Sequence, residues 1–493
     1  MTEQVRDRKT YAMRIGGEWR PAIRQFDSID PFTGQPWASV PEATEADVDD
    51  AVAAARVAFD DGRWSRLPGA ERGEALRRLA DLILESADEL ALSEVRDNGK
   101  LLREMRDQVR SLPAHYRYFA GLADKIDGRV VDTGRDNYFG MVLREPIGVV
   151  AAILPWNSPL LLLTFKLAPA LAAGCTVVVK PSEQAPVSIL KFAELVDKAG
   201  IPAGVFNTVA GSGKDVGQWL VSNPGIDKVS FTGSGVTGAA IAAQAATHLA
   251  PTALELGAKS ANIVFDDCEV DAAVNGLLAG IFAAAGQSCI AGSRALVQRG
   301  VADEVTAKLT ERTRKIRLGD PRLTETEMGP IAFPAQRDKV ASFVEQARVD
   351  GATVVTGGRT TGEIEQFYEP TILSNLPTTS RVWREEIFGP VLAVTVFDTE
   401  EDAVALANAT DYGLAAGVWT TDVRRALRLA RRLVAGTIWI NAYRTLNYAM
   451  PFGGLKRSGY GRENGVEAMH EYLTDKAVWI ELTGATRDPF TIG

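Results

Sequence analysis

From residue 45 to 59, EADVDDAVAAARVAF sets apolar side chains three and four positions apart, behind a Thr44 suited to cap the helix this predicts. ERGEALRRLADLILESADELALSEVRDNGK (71–100) continues in that style and predicts helix ending near Gly99. The pattern then changes. VVAAIL (149–154), CTVVVK (175–180), VFNTVAG (205–211) and DKVSFTG (227–233) are short apolar runs stopped by Gly, Pro or polar residues, with helical stretches such as SILKFAELVDKAG (188–200) between them. A second series follows residue 257: SANIVF (260–265), ALVQR (295–299), VLAVTVF (391–397), GVWT (417–420) and GTIWIN (436–441). Strands alternating with helices predict βαβ units, so the fold class is α/β, with two mostly parallel sheets. GRVVDTGRDNYFGMVLREP (128–146) and KAVWIEL (476–482) read as strands outside both series. An isolated ribbon is marginal in water and presents open edges, so a homodimer or homotetramer with this ribbon at the interface is expected.

Bulk properties narrow the functions. A chain of 493 residues can bury more than one core. A net charge of −9 without a basic block argues against nucleic acid as partner. The most apolar stretch, IGVVAAILPWNSPLLLLTF (147–165), is broken by Pro155, Asn157 and Pro159 and falls short of a membrane span. The opening MTEQVRDRKTYAMRIGG has no apolar core of a secretory signal, so a cytoplasmic location is expected. Cys175, Cys268 and Cys289 are odd in number and widely spaced, which fits neither a disulfide framework nor a zinc ribbon. His115, His248 and His470 form no metal-binding pattern, so no metal is expected, and no G-x-S-x-G elbow is present.

Several stretches carry candidate chemistry. FTGSGVTG (231–238) contains G-x-G-x-x-G between a strand and an Ala-rich helix, a context in which backbone N–H groups bind a pyrophosphate; such junctions also arise from packing alone. The acid expected about 20 residues later in an ordinary dinucleotide fold is missing. An acid appears earlier: Glu183 of VVVKPSE, with Lys180 before it, suits adenosine ribose hydroxyls or simply a solvated loop. PWN (155–157) puts Asn157 at the carboxyl end of a strand, where open α/β sheets bind ligands. Glu255 of LELGAKS lies in an apolar run, which raises a carboxylate toward general-base range unless a salt bridge holds it. Cys289 of AAAGQSCIAGSR sits among small residues rather than the Leu, Val and Ile of a structural thiol, so it is either reactive or a half-buried spectator.

Taken together, PWN, KPSE, FTGS, LELG, GQSC, EEIFGP (385–390) and PFGGLKRSGYGRENG (451–465) occur in the order and spacing of the aldehyde dehydrogenase superfamily, and the resemblance runs from IGGEW (15–19) to the final strand. It implies a Rossmann-like NAD-binding domain from 1–127 and 147–257, a catalytic domain over 258–457, and an oligomerisation ribbon with C-terminal segment from 128–146 and 458–493. Cys289 resembles the family nucleophile, which attacks an aldehyde to give a thiohemiacetal and then a thioester. Asn157 and the Cys289 N–H would hold the oxyanion, and Glu255 would activate water for hydrolysis. By the same match Lys180 and Glu183 meet the adenosine ribose, and Gly233, Ser234 and Trp156 the pyrophosphate. Glu386 and Phe388 place the nicotinamide ribose and ring, and Gly211 and Gly213 let the backbone pass the adenine side. Ile153, Phe231, Leu256 and Gln336 complete the implied cofactor set. Lys166 and Glu463 match positions that order the site or relay protons in the family, or serve structure.

One departure is visible. The family commonly has a second glycine where Ala258 follows Gly257, and the methyl bears on the backbone beside the nicotinamide, with tolerance expected. The implied substrate tunnel is Leu161, Leu162, Phe165, Ser288, Ile290, the loop Arg444 to Tyr448, and Phe452. Its apolar majority favours a medium or bulky aliphatic or aromatic aldehyde. Arg444 keeps open a semialdehyde, whose carboxylate it would meet, with NAD or NADP. Acyl transfer to CoA is disfavoured by Glu255, which that reaction does not need, and a non-catalytic binding protein is disfavoured by Cys289, Asn157 and Glu255 occurring together.

Overall fold

The computed structural model describes residues 8–362, 366–484 and 488–490, so both ends of the terminal segments assigned above lie outside the described residues. Two large sheets organise the chain. The first runs, edge to edge, Phe206–Thr208, Thr176–Lys180, Val149–Ile153, Lys228–Thr232, Thr252–Glu255, all parallel, and ends on the antiparallel Gly459–Tyr460. Its central strands are buried along their whole length, as strands covered by helices on both faces must be. One covering core joins Leu76, Leu79, Tyr116 and Phe119 to Val150 and Val177; the other joins Val48, Val52 and Leu220 to Ala151 and Val229. The chain builds outward from Val149–Ile153 in one direction, then returns to add Lys228–Thr232 on its other side. The strand order therefore reverses between these two strands, and a crevice opens beyond their carboxyl ends. PWN leaves one of them and FTGS the other.

The second sheet runs Thr353–Thr356, Thr371–Ser374, Val391–Phe397, Arg294–Gln298, Ala261–Val264, Ala415–Trp419, Thr437–Ile440, parallel except for the first strand. A three-stranded antiparallel ribbon stands apart. Leu473–Glu481 pairs along all of Tyr138–Pro146, which pairs in turn with Arg129–Val131. Val130, Trp479 and Leu482 on it are strongly exposed. The segment beyond 457 is not all ribbon, because Gly459–Tyr460 closes the first sheet instead.

Local rules account for most boundaries. Helix Glu45–Asp60 starts with a reciprocal cap, in which the Thr44 hydroxyl accepts from the Asp47 N–H at 3.2 Å and the Asp47 carboxylate accepts from the Thr44 N–H at 2.9 Å. The helical run expected over 71–100 is two helices, Gly69–Glu85 and Ala87–Asn98, broken at Ser86. Gly99 ends the second with φ of 75°, the left-handed conformation that glycine adopts without strain. Helix Leu102–Leu122 follows, burying Met105, Val109, Leu112, Tyr116 and Phe119 at helical spacing. Among the described residues no helix is long and apolar enough to cross a membrane.

Candidate active site

The crevice at the strand reversal is a cleft of about 590 Å³ lined by Ile153, Trp156, Lys180, Glu183, Gly213, Phe231, Gly233 and Ser234, among others. Ser234 is extended and caps helix Gly235–Ala245, accepting from the Thr237 N–H at 3.2 Å, and Ser234 and Thr237 put the N-terminus of that helix at the cleft. A side chain at Gly233 would meet the Phe231 ring at 2.4 Å, so glycine lets the ring lie against the backbone where the strand turns into the helix. Lys180 is buried and donates to Glu183 at 3.2 Å, while the Glu183 side chain is 41% exposed. Burial lowers the Lys180 ammonium and Glu183 opposes that shift.

At the inner end of the cleft Trp156 meets Phe333 and Phe388 edge-on, each with ring centres 5.2 Å apart. Phe388 holds φ at 60°, and Gln336 secures it by donating to the carbonyls of Ile387 at 3.0 Å and Phe388 at 2.8 Å. Glu386 accepts from the Ala258 N–H at 2.9 Å, and burial pushes its carboxyl up to about 7. A Cβ on Gly257 would lie 2.3 Å from that carboxylate, so Gly257 is required there. Ala258 is not: its backbone is outside the left-handed region, and its methyl packs with Ile290, Trp439 and Phe452.

Cys289 sits between helix Val270–Ile281 and strand Arg294–Gln298, on a turn that Ala284, Ala285 and Gly286 make with φ of 54°, 52° and 71°. Gln287 anchors the turn: its Oε1 accepts from the Ala332 N–H at 2.9 Å. Asn157 reaches it from the other sheet, donating its Nδ2 to the Gln287 carbonyl at 3.3 Å. Burial pushes the Cys289 thiol up to about 12, and negative charge on Glu386, Glu255 and Glu463 adds to it. Glu255, at the end of its strand, is 5% exposed, and its Oε2 is buried without a hydrogen bond. Desolvation and then Glu463 hold its carboxyl well above the ordinary range, against the charges of Lys166 and Arg462. Lys166 donates to Glu463 at 2.5 Å, both buried. The half-buried thiol thus meets a buried amide and a buried carboxyl at a junction between the two sheets.

Comparison with known proteins agrees with this geometry. The model of the aldehyde dehydrogenase family matches residues 19–478. The chain belongs to that family. It is 44% identical to (Z)-2-((N-methylformamido)methylene)-5-hydroxybutyrolactone dehydrogenase of Acinetobacter baylyi, over 98% of this chain and 99% of the relative. It is 43% identical to betaine aldehyde dehydrogenase of Bacillus subtilis, over 94% of this chain and 96% of the relative. Among solved structures, betaine aldehyde dehydrogenase from Staphylococcus aureus in complex with NAD+ superposes with a TM-score of 0.96 at 39% identity, covering 98% of this chain and 97% of that one.

Within this aldehyde dehydrogenase the remaining expected residues divide. Phe165 and Phe452 face each other with ring centres 6.4 Å apart, and Ile290 and Ser288 are buried beside Cys289. Leu161 is half-buried and packs against the helical core. Arg444 differs from its expected role: its Nη1 donates to the carbonyls of Ala279 and Ala283, both at 3.2 Å, and so caps the end of helix Val270–Ile281. Gly211, Leu256 and Gln336 each have a packing or hydrogen-bonding role of their own. Gly211 turns the chain at φ of 144° against Val216, Leu256 fills the space under Gly238, and Gln336 acts through Phe388. Sequence reasoning also passed over Gln287 and His115. His115 lies against Phe165 and Tyr448, with ring centres 5.3 and 5.8 Å away, and burial lowers it to about 4, a neutral imidazole. Its only sequence signal was its place on the buried stripe of helix Leu102–Leu122. A larger groove of about 800 Å³, between helix Arg299–Arg314 and strand Val391–Phe397, contains none of these groups.

Proposed function

We propose that this chain oxidises a medium or bulky apolar aldehyde to the carboxylic acid with NAD, through a covalent thioester on Cys289. The observation that carries this reading is the convergence of Cys289, Asn157 and Glu255 beside the cleft. The cleft fits a dinucleotide: it offers a capped helix N-terminus for the pyrophosphate and the Lys180–Glu183 pair for a ribose. Glu386 and Phe388 stand at the end nearer the thiol. The S. aureus relative binds NAD+ on the same fold.

Each group has a definable task. The Cys289 thiol releases its proton to water, its sulfur adds to the aldehyde carbon, and the carbonyl oxygen becomes an oxyanion held by the Asn157 amide and the Cys289 N–H. When bound, NAD takes up the hydride that leaves this carbon, which becomes the thioester carbonyl. Glu255 then takes a proton from water as it attacks the thioester; the acid leaves and the thiol returns. Burial disfavours the charged forms of both the Cys289 thiol and the Glu255 carboxyl, so the base role requires that a proton first leave Glu255. The Lys166–Glu463 pair behind it is the adjacent group able to accept one.

The pocket favours an uncharged substrate. Ile290 and Phe452 pack with Cys289, Phe165 lies against Phe452, and neutral His115 lies against Phe165, while Arg444 Nη1 is held by two carbonyls, which disfavours the semialdehyde reading. NADH formation from hexanal and benzaldehyde should exceed that from succinic semialdehyde in kcat/KM; the reverse order overturns this substrate class. The exposed apolar ribbon supports a homodimer or homotetramer, which light scattering tests against a 53.0 kDa monomer.

A further inference from the structure

Four polar residues in the short segment Glu94–Lys100 are buried: Glu94, Asp97, Asn98 and Lys100 are all 5% exposed or less. Polar groups taken out of water need partners, and three of these find theirs on the stretch that carries Asn157. Asn98 Nδ2 donates to the Trp156 carbonyl at 3.3 Å, on one side of Asn157. Lys100 Nζ donates to Ser158 Oγ at 2.7 Å, and Glu94 Oε1 accepts from the Leu160 N–H at 2.7 Å, on the other side.

The exchange of partners at Ser158 is informative. Ser158 occupies the N-cap of helix Pro159–Ala173, where a serine hydroxyl ordinarily accepts an N–H from the first turn. Its hydroxyl makes no such bond. The Leu160 N–H it would take is held by Glu94, a carboxylate from another helix that also suits the positive end of the dipole. The hydroxyl is thereby free for Lys100. A serine cap that is already satisfied from elsewhere gains nothing from a buried ammonium by way of helix stability alone, since burying Lys100 costs solvation.

We propose that Lys100, supported by Glu94, is a positioning residue for the reaction, fixing Ser158 and through it the Asn157 amide that holds the oxyanion. This rests on the oxyanion reading of Asn157. The Lys100 charge also bears on the thiol: burial lowers the ammonium to about 8, Glu94 opposes that, and Arg444, Glu104 and Cys289 are the other charged or titrating groups around it. A one-ångström error in an oxyanion donor is costly, so the predicted effect is kinetic.

The test is the rate of the first turnover of NADH with hexanal, with NAD affinity followed by quenching of protein fluorescence. Lys100→Met and Ser158→Ala should each slow the burst by about tenfold to 10²-fold, with unchanged NAD affinity, while Ser158→Thr, which keeps the hydroxyl, retains it. In an Asn157→Ala background neither change should slow the burst further. A wild-type burst in Ser158→Ala overturns the proposal, whether or not Lys100→Met folds. So does a Lys100→Met loss that multiplies with that of Asn157→Ala. Should Asn157→Ala alone leave the burst unchanged, the oxyanion reading itself fails, and the proposal with it.

Discussion

The cofactor cleft and the cysteine junction are adjacent, yet they handle charge in opposite ways. The cleft is open; Glu183 is 41% exposed and paired with Lys180, and the donors at the helix N-terminus beside it are backbone N–H groups that cannot titrate. At the junction Cys289 is half-buried and the groups around it are buried, and desolvation shifts Cys289, Glu255, Glu386 and Lys100 toward their neutral forms. Binding a large ligand needs many modest contacts that stay usable across pH. Covalent chemistry needs few groups, whose protonation depends on one another. Substitutions in the cleft should therefore act singly and mildly, and those in the junction severely and with strong dependence on pH.

The sharpest separation is expected from Cys289→Ala, which should lower turnover on the order of 10⁴-fold or more and leave NAD affinity intact. Substantial turnover in the pure variant would join the two regions' roles and remove the nucleophile. Glu255→Gln should lower steady-state turnover by roughly 10²–10⁴-fold while preserving one rapid equivalent of NADH per site. A variant without the burst would place Glu255 in thiol activation rather than hydrolysis.

In the cleft, Glu183→Ser tests the milder regime. A phosphate on the adenosine ribose would meet the Glu183 carboxylate, and two such charges 4 Å apart repel by about 4 kcal/mol at an effective dielectric near 20. Exposure and Lys180 reduce this toward about 1.4 kcal/mol, a tenfold preference for NAD over NADP. Comparison of kcat/KM for both cofactors should show that preference in the wild type and its narrowing in the variant; equal use by the wild type refutes it.

The smallest effect is on stability. Because burial raises the folded-state pKa of Glu255 above its unfolded value, the wild type loses stability as pH rises from the ordinary carboxylate range through that folded pKa. Glu255→Gln has no proton to lose. Its melting temperature should match or lie below the wild type near pH 4 and exceed it increasingly toward alkaline pH. A difference independent of pH would mean that Glu255 is not desolvated in the folded enzyme.

What the chain determined by itself was local. Apolar runs and their stops located the strands Val149–Ile153, Thr176–Lys180 and Val391–Phe397 to within a residue or so, because strands covered on both faces are mostly apolar. Motif order named Cys289, Asn157 and Glu255. What tertiary structure alone decided was partnership. Gly459–Tyr460 completes a sheet built some two hundred residues earlier, Arg444 Nη1 donates to the carbonyls of Ala279 and Ala283, and Gln336 grips Phe388. Glu94 replaces Ser158 as the cap of a helix 66 residues away. Periodicity reports which face of an element is apolar. It does not report which buried polar group will meet which, since that pairing is selected only when distant segments have been packed together and water is gone.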